Sequence, residues 1–588
     1  MAEEKFAQAS EASTLDELKG PKLAAAGEGR GLRHTHSSTD QEAQSVDWNY
    51  DGKHEGIRLK KDLQARHVSM IAIGGSLGTG LLIGTGSSLM RAGPGSILIA
   101  YSIMGWVVFT VMSCLGEMAA YIPLDGFTSY ATRYADPALG FAVGWAYLFK
   151  YLVLTPNQLT AGALVIQFWI PAARVSPGVW ITVVLAVIVV INTVGVRFFG
   201  EFEFWLSSFK VLVMLCVMIL LLVLALGGGP THDRLGFRYW SDPGAFKEYS
   251  KKDTHIKGGL GKFVAFLSVF VYALFAYLGT ELCGIVAAEC KDPRRNVPRA
   301  IKLTLYRIVV FYLVTIFLLG MCVAYNDPLL MQASSAEVSA AASPYVVAIE
   351  NAVIPVLPNL FNACVLTFVF SACNSDLYVG SRSLYGLAID GKAPKLFART
   401  NKWGVPYNAL ACCTLFCCLA YMSVSKSART AFGYFVNVTS IFGLMSWVSI
   451  LITYICFDRA FRAQGIPKST LSYVAPCQPY AGWVALIFCI FVALIKNFDA
   501  FIGKEVDVPT FITGYIGLPI YIFCFIGYKI VHKTKWIPSK EVDLFTFKEA
   551  IDLEEEECIR ERALMKEQLA KGGLSWKKIY DNVLGWIF

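Results

Sequence analysis

Long uncharged apolar segments alternate with short polar segments over most of the chain. Residues 183–196 and 211–226, for example, contain no charged side chain. Such segments approach the roughly 20 residues that an α-helix needs to cross the hydrocarbon core of a bilayer. Because the apolar runs are continuous and do not alternate with polar positions, they favour helices over a membrane β-barrel. The pattern therefore predicts an all-α polytopic membrane protein embedded in a lipid bilayer.

The limits of the apolar segments predict twelve transmembrane helices, which we call spans 1 to 12. The spans are predicted at residues 68–90, 95–119, 138–166, 176–196, 205–227, 262–288, 303–325, 355–388, 407–425, 431–457, 480–497 and 511–531. They form a transmembrane domain, 67–531, with five spans in residues 68–227, five in 262–457 and two in 480–531. Residues 1–66 are predicted to be a disordered tail, and 532–588 a charged tail with a solvated acidic run at 554–557.

Composition supports a membrane protein and excludes several other classes. Of the 588 residues, 55% are hydrophobic and only 16% are charged, whereas about a quarter of the residues of a soluble protein are charged.

Most of the 16 cysteines lie in apolar segments, where we expect packing residues and no disulfides. We expect no metal or cofactor and no enzymatic activity, because the sequence has no ligand cluster, nucleotide motif or nucleophile–base pattern. The net charge of +8 comes from basic residues at membrane flanks and does not indicate nucleic-acid binding.

Lysine and arginine are concentrated on one side of the predicted spans. They cluster before span 1 and in the loops after spans 6, 8 and 10, while the loop at 325–358 has none. Cytoplasmic loops carry an excess of these residues, so both termini are predicted to be cytoplasmic. Lys5, Lys19 and Lys22 in the N-terminal tail are candidate acceptors for the ubiquitin machinery; the alternative is that they are ordinary solvated lysines.

Two spans contain glycine-rich segments that a continuous helix would not favour. Span 1 contains GGSLGTG at 74–80 and span 6 contains YLGTELCG at 277–284. A glycine costs about 1 kcal/mol in a helix interior, and irregular backbone in a membrane is tolerated where it lines a cavity or is buried. Each broken span begins a block of five spans. Because five is an odd number, the second block starts on the opposite side of the membrane and has the inverted orientation. This predicts a 5+5 inverted repeat with broken helices 1 and 6; close glycine packing between helices is the alternative.

Broken helices suit the binding of an amino acid. Free N–H groups at the start of a half-helix attract a carboxylate, and free carbonyl groups at the end of another accept from an ammonium. We therefore predict a substrate site at the midplane of the membrane, where spans 1 and 6 are broken. Its predicted residues are Gly74, Ser76, Leu77, Gly78, Thr79 and Gly80 of span 1 and Tyr277, Leu278 and Gly279 of span 6.

Ionisable and polar residues inside spans are further candidates, since they are costly in a membrane. Lys150 lies in span 3 with Asn157 seven positions later on the same face. Lys150 could attract a substrate side-chain carboxylate, or it could snorkel to the interface. Glu281 could carry a proton or cap exposed N–H groups at the break. Asn374 in span 8 could face the substrate or tie helices together.

Five segments carry a resemblance to a known family. They are ARHVSMIAIGGSLGTGLLIGTG (65–86), DGFTSYATRYADPALGFAVGWAYLFKY (125–151), GVRFFGEFEFWLSSFKV (195–211), GTELCGIVAAECKDPRRNVPRAIK (279–302) and SACNSDLYVGSRSLYGLAIDGKAPKLFARTNKWGVPYNAL (371–410). Over residues 55–535 the chain resembles the fungal amino-acid permeases of the amino acid–polyamine–organocation superfamily. GGGPTHDRLGFRYWSDPGAFKEYS (227–250) and YLFKYLVLTPNQLTAGALVIQFW (147–169) are most similar to its dicarboxylic (aspartate/glutamate) branch.

The resemblance implies a LeuT-like fold of ten core helices plus two, and proton-coupled uptake at the plasma membrane. In resembling transporters a lysine at the position of Lys210 approaches span 1 and titrates during transport; the alternative here is an anchor at the cytoplasmic end of the helix. Many relatives that carry cationic amino acids have Glu where this chain has Gln158, and a neutral amide would remove repulsion of an acidic substrate.

Charge constrains the mechanism that the resemblance implies. Aspartate or glutamate carries a net charge of about −1, and its entry into a negative-inside cell opposes the field by about 2.3 kcal/mol per 100 mV. We therefore predict at least two protons per acidic substrate. Two alternatives stay open: a permease for neutral or broad-range amino acids, and a sensor that binds amino acids without transport. The modest tail of residues 1–66 argues against the sensor.

Overall fold

The fold is described from a computed structural model of the chain. The structure describes residues 77–124, 126–194, 196–251, 254–282, 293–334, 343–401, 404–425, 428–503 and 505–571. Gly74 and Ser76, the three candidate ubiquitin acceptors and the end of the C-terminal tail lie outside these residues.

Within the described residues the secondary structure is almost entirely helical. The α-helices are α1 (Thr85–Tyr121), α2 (Gly126–Tyr134), α3 (Pro137–Ile166), α4 (Pro177–Val194), α5 (Val196–Ala225), α6 (Gly258–Ser268), α7 (Phe270–Tyr277), α8 (Pro293–Arg307), α9 (Thr315–Cys322), α10 (Pro328–Ser334), α11 (Pro344–Asn351), α12 (Leu357–Ile389), α13 (Tyr407–Cys417), α14 (Met422–Ser425), α15 (Ala428–Ala463), α16 (Tyr480–Ile495), α17 (Val508–Tyr515), α18 (Gly517–His532) and α19 (Lys548–Lys571). Short π-helical segments, Gly80–Gly84 and Ile308–Val314, precede α1 and α9. The strands β1 (Ser250–Lys251) and β2 (Thr254–His255) pair antiparallel.

Eleven helices among the described residues are long and apolar enough to cross a membrane. The first of them, Gly80–Tyr121, has 42 residues and would measure roughly 63 Å, about twice the hydrocarbon core. It bends at Gly93, whose φ is 81°, next to Pro94. It therefore contains the second half of span 1 and all of span 2, so the eleven helices provide twelve crossings. The predicted all-α fold of twelve spans is confirmed.

Helices α3 and α15 form the centre of the bundle and pack along each other, and α12 packs along α3. The start of α3 is fixed by Asp136, which accepts from the Ala138 N–H at 2.8 Å, and by Pro137 at the first helical position. The surrounding helices expose apolar side chains, including Val190 of α4, Leu212 of α5 and Phe523 of α18. Apolar surface of this extent marks the face that contacts lipid.

The described part of the C-terminal tail packs against the transmembrane helices. The Ile537 N–H donates to the Ala135 carbonyl at 2.9 Å, and Arg133 donates to the carbonyls of Asp543 and Thr546. Arg294 pairs with Asp552 and Glu555 of α19, each at 2.5 Å. The prediction that the acidic run at 554–557 is only a solvated face is therefore wrong for Glu555, because a basic residue far away in the sequence reaches it.

Candidate substrate site

Span 6 is interrupted where the sequence predicts a break. Helix α7 ends at Tyr277, Leu278 is extended with φ −61° and ψ 145°, and Gly279 has a φ of 90°, a conformation that favours glycine. Helical structure resumes at Leu282. The predicted break in span 6 is confirmed.

The glycine-rich segment of span 1 lies against the end of α7. Leu77 and Gly78 are not helical, and the helix begins at Thr79; the preceding half of span 1 lies outside the described residues. A Cβ on Gly80 would lie 2.5 Å from the Ala276 Cα and 3.1 Å from the Phe275 carbonyl oxygen. Only glycine allows the two backbones to approach this closely. The start of the described span 1 helix and the broken end of α7 are thus direct neighbours.

Tyrosine side chains hold the broken end of α7 in place. The Tyr312 hydroxyl donates to the Ala276 carbonyl and the Tyr277 hydroxyl to the Tyr101 carbonyl, both at 3.0 Å. The rings of Tyr277 and Tyr312 stack with their centroids 4.5 Å apart. The Thr280 hydroxyl donates to the Tyr277 carbonyl at 2.7 Å. The irregular backbone therefore has partners within the protein, as burial in a membrane requires.

A cavity opens between the start of the described span 1 helix and the break in span 6. The volume of this cavity, including its open mouth, is about 780 Å³. The predicted site residues that line it are Gly78, Thr79, Gly80, Gln158, Leu278 and Gly279. Its remaining walls come from Leu154, Phe199, Phe275, Ala276, Leu282, Ala372, Ser375, Asp376, Tyr378 and Val379. The described lining residues include no lysine, arginine or histidine, and Asp376 is the one acidic residue among them.

A short chain of hydrogen bonds crosses one wall of this cavity. The Thr79 hydroxyl donates to Gln158 Oε1 at 2.8 Å, and Gln158 Nε2 donates to Asp376 Oδ2 at 3.1 Å. Asp376 is not among the predicted site residues, although a carboxylate inside span 8 is itself a signal of function. Gln158 thus joins the beginning of the span 1 helix to a buried carboxylate in α12.

Lys150 and Glu281 form an ion pair beside the break in span 6, and both side chains are completely buried. Lys150 Nζ also lies 4.3 Å from the ring centroid of Tyr151. Lys150 does not line the cavity, and the alternative of a snorkelling lysine is wrong because its charge is paired inside the protein. Glu281 accepts from the Gly279 N–H at 3.2 Å and from the Trp447 indole at 3.4 Å. Its predicted contact with the N–H groups of the break is confirmed for Gly279.

A second buried ion pair lies within α5, and its carboxylate is hydrogen-bonded to α12. Lys210 Nζ lies 3.3 Å from Glu203 Oε1, and the Ser371 hydroxyl donates to the same carboxylate at 2.8 Å. Both charged side chains are essentially unexposed, so the alternative that Lys210 is an anchor at the cytoplasmic end of the helix is wrong. Glu203 is not among the predicted site residues, although it precedes Lys210 by seven residues and so shares its helix face.

The two predicted asparagines differ in their surroundings. Asn374 accepts from Asn192 Nδ2 at 2.9 Å and so ties α12 to α4. Asn157 is fully buried, and within the described part of the chain neither its amide oxygen nor its nitrogen has a hydrogen-bond partner. Leu77 and Tyr277 are buried next to the break and do not line the cavity.

A helical membrane protein with a cavity at interrupted spans has the architecture of a secondary transporter. Residues 67–541 match the family profile described as amino acid permease, and the chain belongs to this family. It is 65% identical over 538 residues to the dicarboxylic amino acid permease of Saccharomyces cerevisiae, covering 92% of this chain and 88% of the relative. It is 42% identical to an uncharacterized amino-acid permease of Schizosaccharomyces pombe, covering 83% and 92% of the two chains.

A solved structure supports the fold. A manganese transporter of Eremococcus coleocola matches with a TM-score of 0.50 at 12% identity, over 79% of this chain and 94% of that chain. At this identity the likeness concerns the fold alone. Family membership confirms the predicted permease class, and the chain is a transporter and not an enzyme.

Proposed function

We propose that this permease takes up acidic amino acids, L-glutamate and L-aspartate, together with protons by alternating access. The observation that carries the proposal is the 65% identity to a dicarboxylic amino acid permease over 92% of the chain. An identity this high over nearly the whole chain supports a shared substrate class. The neutral Gln158 in the cavity wall also supports it, because a carboxylate there would repel an acidic substrate.

The broken helices supply groups for the amino-acid backbone of the substrate. The α-carboxylate binds the N–H groups at the start of the span 1 helix, at Gly78, Thr79 and Gly80, with Gly74, Ser76 and Leu77 completing the segment. The ammonium group binds carbonyls where α7 ends, near Tyr277 and Leu278. The support for this orientation is the close approach of the two segments at Gly80 and Ala276.

Glu281 and Lys210 are the proposed proton-coupling residues. While Glu281 is ionised, it compensates the charge of Lys150. Once Glu281 is protonated, the positive charge of Lys150 is free to act on the side-chain carboxylate of the substrate. The support for Lys210 is its burial inside the protein, where it pairs with Glu203. Asn157 and Asn374 supply neutral hydrogen bonds near the side chain.

The plasma membrane, with both termini cytoplasmic, is the proposed location. Support comes from basic residues that cluster at one end of the bundle. Arg133 and Arg294 contact the C-terminal segment, and Lys529 pairs with Asp136 at the start of α3. Lys5, Lys19 and Lys22 are proposed acceptors for the ubiquitin machinery, tested by endocytosis after joint replacement with arginine.

A permease for neutral or broad-range amino acids is the second candidate. It is favoured by the absence of a basic side chain among the described residues lining the cavity and by the apolar Leu154, Phe275 and Val379 in its walls. A neutral substrate needs no cation for its side chain.

Uptake by purified permease in liposomes distinguishes these functions. Labelled L-glutamate should enter faster at lower external pH, with an inward current, and unlabelled aspartate should compete while leucine and proline do not. Competition mainly by neutral amino acids would instead support the second candidate. Binding without net uptake would indicate a sensor.

The double variant Lys150→Met, Glu281→Gln removes both charges at once and so leaves no buried charge unpaired. It should weaken glutamate uptake. Lys496→Met is the matched control, because Lys496 is equally buried but its amine donates to the Asn437 carbonyl at 2.7 Å, away from the cavity.

A further inference from the structure

Asp376 is a carboxylate in the wall of the substrate cavity. Its side chain is about 8% exposed, and its hydrogen bond comes from the neutral amide of Gln158. In the described part of the chain no lysine or arginine lies within ion-pair distance of it. It differs in this respect from Glu281 and Glu203, which both have a lysine partner. A carboxylate buried without a cation is more stable when a proton neutralises it.

The charged and titratable groups around Asp376 come from four helices. They are Lys150 and Tyr151 of α3, Glu203 and Lys210 of α5, Cys373 of α12 itself and Cys417 of α13. Both lysines are already paired with carboxylates. The surroundings therefore contribute little net positive charge to hold Asp376 ionised when a second anion arrives.

We propose that Asp376 carries one of the protons that enter with each acidic substrate. The proposal rests on the proposed function, since it requires an anionic substrate in this cavity. A proton from the outer solution binds an Asp376 oxygen, and the neutral carboxyl group no longer repels the substrate carboxylates. The other oxygen still accepts from Gln158, while the new hydroxyl can donate to the substrate. After the substrate leaves on the inner side, the same proton dissociates there.

The hydrogen-bond chain links this proton to the broken helix. Because the Thr79 hydroxyl donates to Gln158 Oε1, the Gln158 amide nitrogen is the atom directed at Asp376. Thr79 begins the described helix of span 1 and lines the cavity. Any movement of span 1 that separates Thr79 from Gln158 releases the amide and alters the environment of Asp376. Proton release is thereby coupled to the conformational step.

The test compares wild type, Asp376→Asn and Asp376→Glu in liposomes, with Thr367→Ala as the matched control. Thr367 lies on the same helix, α12, its hydroxyl donates to the Ala363 carbonyl, and it is not among the described residues that line the cavity. Asparagine mimics the neutral carboxyl group. In wild type and Thr367→Ala, the KM for glutamate should rise with external pH, and Asp376→Glu should retain part of this dependence. In Asp376→Asn, the dependence of KM on pH should be shallower than in wild type, and the proton:glutamate ratio should fall by one.

Two results would overturn the proposal. One is an unchanged pH profile and proton ratio in Asp376→Asn. The other is a folded Asp376→Asn protein that binds no glutamate at any pH, since this would make the ionised carboxylate a ligand of the substrate ammonium. A wild-type protein that carries no glutamate would contradict the proposed function itself, and so the two failures are distinguishable.

Discussion

Replacing Gly80 with alanine should separate the two broken helices and impair transport. The added Cβ would lie 2.5 Å from the Ala276 Cα and 2.9 Å from its nitrogen, whereas carbon atoms prefer about 3.5–4.0 Å. The segments must therefore move apart by roughly 1 Å. Overpacking of this kind costs about 1–3 kcal/mol, which exceeds or cancels the roughly 1 kcal/mol that alanine gains over glycine in a helix.

The same displacement should weaken substrate binding. Hydrogen bonds need donor–acceptor distances near 2.7–3.2 Å, so a shift of about 1 Å breaks a contact between one segment and the substrate. A hydrogen bond to a charged group contributes about 1.5–3 kcal/mol, which corresponds to at least a tenfold rise in KM. The assay is labelled-glutamate uptake at equal surface expression, together with the melting temperature of the purified protein.

Gly78→Ala is the matched control for this prediction. Gly78 lines the same cavity, but its added Cβ would meet only the Ala372 Cβ at 3.7 Å, an ordinary contact. Gly78→Ala should therefore keep the stability of wild type and most of its uptake. If Gly80→Ala matches wild type in KM and stability, the two segments do not approach as described and the reasoning is refuted.

Three further changes test other parts of the structure. Glu281→Gln should lower the free energy of unfolding by about 3–5 kcal/mol by leaving Lys150 buried and unpaired, and adding Lys150→Met should restore most of it; equal stability of the single and double variants would contradict the ion pair. Gln158→Glu should place a carboxylate against Asp376, a repulsion of up to about 4 kcal/mol, and should raise the glutamate KM at pH 7 more than at pH 5; a pH-independent effect would speak against charge. Arg294→Ala should expose α19 to limited proteolysis by removing both ion pairs, whereas the exposed Arg560→Ala should not; equal cleavage would contradict docking.

The spans and the break in span 6 could be predicted because their causes are local. Spans 8 and 9 are predicted at 355–388 and 407–425, and the structure has helices at Leu357–Ile389 and Tyr407–Ser425. Apolar length and flanking charges fix such limits. Gly279 likewise marks the break because its φ of 90° suits glycine. Spans 1 and 2 are separated by a bend at Gly93 and not by a loop, since the helix resumes directly at Pro94.

The side-chain pairs could not be predicted because they depend on which helix faces meet. Lys150 and Glu281 are 131 positions apart, and nothing local to either residue indicates the other. In the same way, the hydrogen bond that Asp376 accepts comes from Gln158, a residue 218 positions away. The docking of α19 was missed because a charged composition predicts solvation, while its basic partner Arg294 lies in another segment. Tertiary packing, and not local pattern, decides these contacts.

The most direct test of the account is a cryo-electron microscopy structure of the permease in a lipid nanodisc with L-glutamate at low pH. The account predicts α7 ending at Tyr277 and ligand density in the cavity between residues 78–80 and 278–279, with Asp376 in the adjacent wall. A span 6 that is helical without interruption through residues 278–281, or glutamate bound outside this cavity, would contradict it.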